Sequence, residues 1–201
     1  GALIPYDQRL VVIEDSAELQ LPQPNQVNLE TRKANLEGKG EIPIKDLVRA
    51  SLRMRPDRIV VGECRSGEAL DMLQAMNTGH DGSMTTGHAN SPTEMIQRLQ
   101  VMVMEAGEDM PVNAIRQQIA AAVDLIVQIQ RQRDRSRKIT YISEVCGYDA
   151  DEDEVVIEHI FRLVETPGGA MELRFTGYLP TFIDTLLDAG DTSLEELFSW
   201  N

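Results

Sequence analysis

The chain has 201 residues, enough for one domain or one domain with a small appendage, and 42% of them are hydrophobic. Its 33 acidic and 19 basic residues give a net charge of −14, which disfavours general binding to nucleic acid or anionic membranes because both are polyanions. The two cysteines stand far apart in no metal-ligand spacing, and the sequence has neither a membrane-span-length apolar run nor a signal-peptide pattern. We therefore expect a cytoplasmic protein.

Three short segments have the pattern of strands in a parallel sheet. Residues 10–13 and 59–61 are continuous aliphatic runs, and residues 83–86 form a third candidate. Runs that are apolar on both faces are typical of interior strands covered by helices.

Helical patterns alternate with these strands. Apolar residues at helical spacing predict a helix at 69–76, and the capping box that begins at Ser91 predicts another that runs to Gly107. Pro111 opens a third helix. The alternation of strands and helices indicates an α/β fold.

After residue 123 the apolar pattern changes to period two. Segments 139–145 and 155–163 are predicted to be strands joined by an acidic turn, and the last residues from Pro180 are predicted to form two short helices.

Titratable residues follow each predicted parallel strand. Glu14 and Asp15 follow the first, Glu63 follows the second and His88 follows the third. Ligands bind beyond the carboxyl ends of strands in open α/β sheets, so these groups would meet at one edge. Carboxylates there could position Mg²⁺ and an attacking water, although an acid after a strand is also commonly a helix cap or a solvated loop residue.

Other polar residues leave alternatives open. Arginines crowd the approach to the second strand, where their simplest role is to pair with acids; one or two could instead reach phosphate. His80 could join His88 and Glu63 in a zinc hydrolase site, although two histidines at this spacing are a weak signal.

Four segments carry a resemblance to a known family. Residues 54–63 resemble the Walker B segment of the type II/type IV secretion ATPase superfamily, 13–19 its Asp box and 78–91 its His box. Residues 67–82 resemble more narrowly the branch that powers Flp (tight-adherence) pilus assembly. The resemblance covers roughly residues 3 to 165.

The resemblance implies a RecA-like P-loop NTPase core at 1–148, with a largely parallel sheet flanked by helices, and C-terminal antiparallel strands and short helices at 149–201. It also implies a homo-hexamer that couples hydrolysis of ATP, with Mg²⁺, to pilus assembly or protein secretion. Such an enzyme would be held at the inner membrane by secretion or pilus platform proteins, and the acidic net charge leads us to expect no binding to nucleic acid.

The resemblance also implies roles for individual residues. Glu14 would polarise or deprotonate the attacking water with support from Asp15, while Glu63 would act on Mg²⁺ indirectly, through water. His88 would sense the γ-phosphate.

Three further residues are implied in ATP binding. His80 would help to hold the His box, and Arg32 and Arg55 are candidates for contact with phosphate, either of their own subunit or across a subunit interface.

One motif of the family is missing from the sequence. No Gly-x-x-x-x-Gly-Lys-Ser/Thr loop occurs, and Gly38-Lys39-Gly40 lacks both the leading glycine and the hydroxyl residue. Because that loop supplies most contacts to the β- and γ-phosphates, we expect a chain that begins after its first strand and P-loop, and that alone neither binds MgATP tightly nor hydrolyses it. The alternative is a non-catalytic interaction module that docks on the secretion machinery.

Overall fold

The computed structural model describes residues 3–188 and 198, which form two compact units. The first comprises Gly1–His88 and Gln97–Ala122, and the second comprises Ala89–Ile96 and Val123–Asn201. The main division between the units thus falls between residues 122 and 123 of the chain, whereas the resemblance places a domain boundary after residue 148. The division into an ATPase core and a C-terminal part stays a prediction.

The first unit is built on a parallel sheet. Its strands are β1 (Leu10–Glu14), β2 (Gln26–Glu30), β3 (Arg58–Val61) and β4 (Met84–Thr85), in the order β2-β1-β3-β4. All five residues of β1 are buried, as expected of an interior strand that is apolar on both faces.

Helices pack around this sheet. They are α1 (Ile44–Ser51), α2 (Glu68–Met76), α3 (Pro92–Glu105), which belongs partly to each unit, and α4 (Val112–Ala122). The predicted helices correspond to α2, α3 and α4, whereas α1 and β2 were not predicted. The fully buried side chains in these four helices include Val48, Leu73, Ile115 and Ile119.

The second unit contains an antiparallel sheet. Its strands are β5 (Leu125–Arg131), β6 (Arg137–Asp149), β7 (Glu154–Glu165) and β8 (Met171–Phe175), in chain order. The period-two segments are thus confirmed as strands, and β8 is an addition to the prediction.

A short helix follows this sheet. It is α5 (Ile183–Asp188), which corresponds to the first of the two helices predicted after Pro180. The second predicted helix lies outside the described residues.

A buried carboxylate fastens the segment before α5 to the sheet. Glu144 on β6 is only 3% exposed and accepts hydrogen bonds from the Tyr178 hydroxyl at 2.9 Å and the Thr181 N–H at 3.0 Å. The Thr181 hydroxyl also donates to it. Every one of these donors is neutral, and no cation of the described chain forms an ion pair with Glu144.

Within residues 3–188 and 198, no helix combines the length and apolar character needed to cross a bilayer.

Candidate functional site

The parallel register brings the ends of the strands to one edge of the sheet. Glu14 is in register with Glu30, Ile13 with Val61, and Val61 with Thr85. The residues that follow the four strands therefore lie along a common carboxyl edge, as the sequence predicted for the three strands it identified.

The loop after β3 presents two charged side chains at this edge. Cys64 is 1% exposed and its N–H donates to the Thr86 carbonyl at 2.9 Å, so the residues on either side, Glu63 and Arg65, are directed away from the core. Burial raises the pKa of the Cys64 thiol to about 12, which keeps it neutral. The Glu68 carboxylate accepts from the Arg65 N–H at 2.6 Å and fixes the loop from its other end.

Glu63 lies at the centre of a charged cluster. One carboxylate oxygen, Oε2, pairs with Nη2 of Arg65, and the other, Oε1, lies 2.8 Å from Nε2 of His88. Nη1 of Arg65 lies 3.6 Å from Oδ2 of Asp15, so the arginine also reaches the end of β1. The hydrogen bond from Arg65 lowers the pKa of Glu63 below its ordinary value, and the charges of Arg65 and His88 add to this effect.

Glu14 has a different environment from Glu63. It is 6% exposed, and its Oε1 accepts from the N–H groups of Glu18 at 3.1 Å and Leu19 at 3.0 Å. These bonds hold the loop after β1. A Cβ on Gly62 would lie 3.0 Å from Cγ of Glu14, so the glycine permits the close approach of the two strand ends.

Arg32 lies beyond the carboxyl end of β2, on the same edge of the sheet. Its Nε donates to the Gly40 carbonyl at 2.6 Å, and its backbone pairs with Ile42. The preceding residue, Thr31, contacts Asp15, its hydroxyl lying 3.2 Å from Oδ1.

The structure does not bring His80 and Arg55 to this edge. His80 precedes β4, and its Nδ1 lies 3.0 Å from the Ala75 carbonyl near the end of α2. Arg55 precedes β3 and has a φ of 55°, an unusual conformation for a residue other than glycine. Both residues are therefore at the amino ends of parallel strands, opposite Glu63.

This placement removes one of the alternative interpretations. A zinc site made by His80, His88 and Glu63 is wrong, because His80 lies at the other end of β4 from His88. Across residues 3–188 and 198, no three His, Cys, Asp or Glu side chains are grouped as metal ligands would be. The cluster fits a magnesium ion only if water or a ligand's phosphate supplies most of the coordination, which is common for Mg²⁺.

Arg65 is the member of the cluster that sequence reasoning missed. It was one of several arginines around β3, among which the sequence analysis did not choose. The signal that could have identified it is its separation of two residues from Glu63 across a buried Cys64, which predicts that both side chains leave the core on the same side.

The parallel sheet carries a cluster of a carboxylate, a histidine and an arginine at its carboxyl edge. This arrangement is typical of α/β proteins that bind ligands beyond the ends of their strands. Residues 2–166 match the model of the family described as "Type II/IV secretion system protein". The chain belongs to this family.

Individual relatives agree with the family match. The chain is 40% identical over 171 residues to "Putative conjugal transfer protein Rv3659c" of Mycobacterium tuberculosis, which covers 85% of this chain and 48% of that protein. It is 38% identical over 142 residues to the conjugal transfer protein TrbB of Rhizobium radiobacter, covering 71% of this chain and 40% of TrbB.

A solved structure confirms the expected fold class. The crystal structure of the VirB11 ATPase from the Brucella suis type IV secretion system, in complex with sulphate, superposes with a TM-score of 0.61 and 36% sequence identity. The match covers 69% of this chain and 40% of VirB11. The chain thus spans about half or less of the length of these relatives, and the narrower likeness to the Flp branch stays a prediction.

Proposed function

We propose that this chain is the C-terminal portion of the catalytic domain of an ATPase that couples ATP hydrolysis to protein secretion or pilus assembly. The observation that carries the proposal is the pairing of Glu63 with both His88 and Arg65 at the carboxyl edge of the parallel sheet. The family match and the likeness to a VirB11 ATPase support the same assignment.

The geometry supports a distinct role for each acid. Glu63 is ionised and faces solvent beside a histidine, so it can direct a water or contact hydrated Mg²⁺ indirectly. Asp15 lies at the next strand end and can support it. Glu14 holds two backbone N–H groups through Oε1, so an action on the attacking water would fall to its other oxygen, Oε2.

The two arginines proposed to contact phosphate lie at opposite edges of the sheet, so they would contact nucleotide in different subunits. Arg32 shares the carboxyl edge with Glu63, so it is the candidate for contact with phosphate in the same subunit. Arg55 lies at the opposite edge and could contact only the nucleotide of another subunit. His80 would act by holding the turn before β4, where its carbonyl accepts from the Ser83 hydroxyl at 2.7 Å.

ATP and Mg²⁺ are the ligands of the proposed whole enzyme, in which MgATP would supply the phosphoryl group and neutralise developing charge. This sequence contains no P-loop, so the described acids face an anionic ligand without backbone N–H groups to cradle its phosphates. We therefore propose that the 201-residue chain alone binds MgATP weakly and does not hydrolyse it. A hexamer attached to membrane platform proteins in the cytoplasm is proposed for the whole enzyme.

A chimera tests the assignment. The part of VirB11 that lies outside the match would be joined to this chain to supply the missing phosphate-binding loop, and phosphate release would be measured with MgATP. We expect hydrolysis by the chimera, a loss of at least about a hundredfold in Glu63→Gln, and none by either part alone. Lys33→Gln, an exposed charge change outside the cluster, is the control.

The alternative function is a non-catalytic module that docks on secretion machinery. The missing P-loop motif is the observation in its favour. A folded chimera that binds MgATP but shows the same low turnover with and without the Glu63→Gln substitution would support this alternative and contradict the proposal.

A further inference from the structure

We propose that Arg65 is a positioning residue that fixes Glu63 against His88 and joins the end of β3 to the end of β1. The assignment rests on the proposed function for its catalytic consequence, but the positioning itself belongs to the ligand-free chain.

The contacts of Arg65 divide between two strands. Its Nη2 pairs with Oε2 of Glu63, which follows β3, while its Nη1 lies 3.6 Å from Oδ2 of Asp15, which follows β1. A planar guanidinium holds its nitrogens at fixed angles, so it can orient two carboxylates at once in a way that an ammonium cannot.

The two oxygens of Glu63 consequently have separate partners. Arg65 holds Oε2, which leaves Oε1 directed at Nε2 of His88, 2.8 Å away. If the arginine were absent, the carboxylate could rotate and share both oxygens with His88 or with water. Arg65 therefore selects one orientation of a group that has few other constraints.

The base of Arg65 is held while its charged end is accessible. Its N–H donates to Glu68 at 2.6 Å, and the adjacent Cys64 is anchored in the core with its Sγ 3.8 Å from Sδ of Met102. The Arg65 side chain itself is 62% exposed. A structural role in the core is thus excluded, because replacement of the guanidinium leaves no buried cavity.

Arg65 also offsets charge at this edge. Three acids, Glu14, Asp15 and Glu63, meet where an anionic ligand would bind, and Arg65 pairs with two of them. The hydrogen bond from Arg65 is the largest cause that lowers the pKa of Glu63 below its ordinary value, which agrees with the contact seen between the two side chains.

The first test is a carbon-13 carboxyl NMR titration of Glu63 in the 201-residue chain without nucleotide. In Arg65→Gln we expect the Glu63 pKa to rise toward its ordinary value, and in Arg65→Lys we expect part of the depression to be restored because the charge remains. Arg53→Gln removes the same charge from a residue before β3 and should leave the titration unchanged. A Glu63 pKa that is equal in wild type and Arg65→Gln would overturn the proposal.

The second test uses the VirB11 chimera. Because Arg65 acts through Glu63, Arg65→Gln should lower kcat roughly ten- to a hundredfold with little change in KM, and Arg65→Lys should recover part of the loss. A raised KM with unchanged kcat would overturn the positioning role and indicate direct binding of substrate. If the folded wild-type chimera is inactive, the proposed function fails. The NMR titration still shows in that case whether Arg65 positions Glu63.

Discussion

Two glutamates in this chain, one in each compact unit, show how the environment of a carboxylate separates structural from functional use. Glu144 is buried and accepts only from neutral groups, the Tyr178 hydroxyl and the N–H and hydroxyl of Thr181. Glu63 is paired with the exposed, charged side chain of Arg65 and with His88. Neutral donors around a buried carboxylate fix a segment of chain, whereas exposed charged partners can exchange with a ligand.

The difference has an energetic reason. A buried carboxylate that loses its donors incurs a desolvation cost that water cannot relieve. An exposed ion pair gains little because solvent screens it and both side chains lose freedom. The fold therefore depends on Glu144, while Glu63 is available for chemistry at small cost to stability.

The largest expected effect is at Glu144. Glu144→Ala removes the acceptor shared by the Thr181 N–H and the Tyr178 hydroxyl, which are only partly shielded from water, and we expect the free energy of unfolding to fall by about 1–3 kcal/mol. Urea denaturation measures this change. Glu158 is an exposed residue on β7 directly opposite Glu144, and Glu158→Ala should change the free energy of unfolding by less than about 0.5 kcal/mol. Equal effects of the two substitutions would remove the distinction drawn for Glu144.

A smaller effect is expected at Tyr178. Tyr178→Phe removes one donor to Glu144 and should cost about 1–2 kcal/mol, because a hydrogen bond to a charged group is lost while the ring stays in place. The matched control is Tyr6→Phe, since Tyr6 is 70% exposed. The contact with Cys146, burial and the hydrogen bond to Glu144 raise the pKa of the Tyr178 hydroxyl, so ultraviolet titration should show it ionising above the ordinary range of tyrosine. Ionisation of Tyr178 within that ordinary range would contradict the described hydrogen bonds.

The smallest effect is expected at Glu63. Its folded pKa is lowered, so its pairing contributes stability above the unfolded pKa, and that contribution is lost as pH falls through the folded pKa. Because the pair is exposed, Glu63→Gln should cost under about 1 kcal/mol near neutral pH and nothing in acid. Unfolding measured at several pH values, with and without added salt, checks this. A cost that persists in acid or resists salt would mean that Glu63 is structural.

The strands at the site could be predicted from sequence because their signal is local. Residues 10–13 and 59–61 are aliphatic on both faces, which few structures other than an interior parallel strand can use. Strand β2, at the sheet edge with polar residues Gln26, Asn28 and Glu30, has no such signal and was missed. Helix α1 was missed as well.

The members of the site could be predicted only in part. Glu63 and His88 were named from their positions after strands, and the structure brings them together, although their roles stay predictions. His80 and Arg55 lie at the opposite edge because each precedes its strand, whereas Glu63 and His88 follow theirs. The membership of Arg65 in the site could not be predicted in full, because its contact with Asp15 arises only when β1 packs beside β3.

We propose that this chain carries catalytic acids without a phosphate-binding loop, and calorimetry of MgATP binding to the 201-residue chain tests this proposal most directly. We expect calorimetry to detect no tight binding of MgATP by either the wild-type chain or Glu63→Gln. Micromolar binding by wild type that changes in Glu63→Gln would show that this chain holds phosphate through groups other than a P-loop, and it would contradict the account.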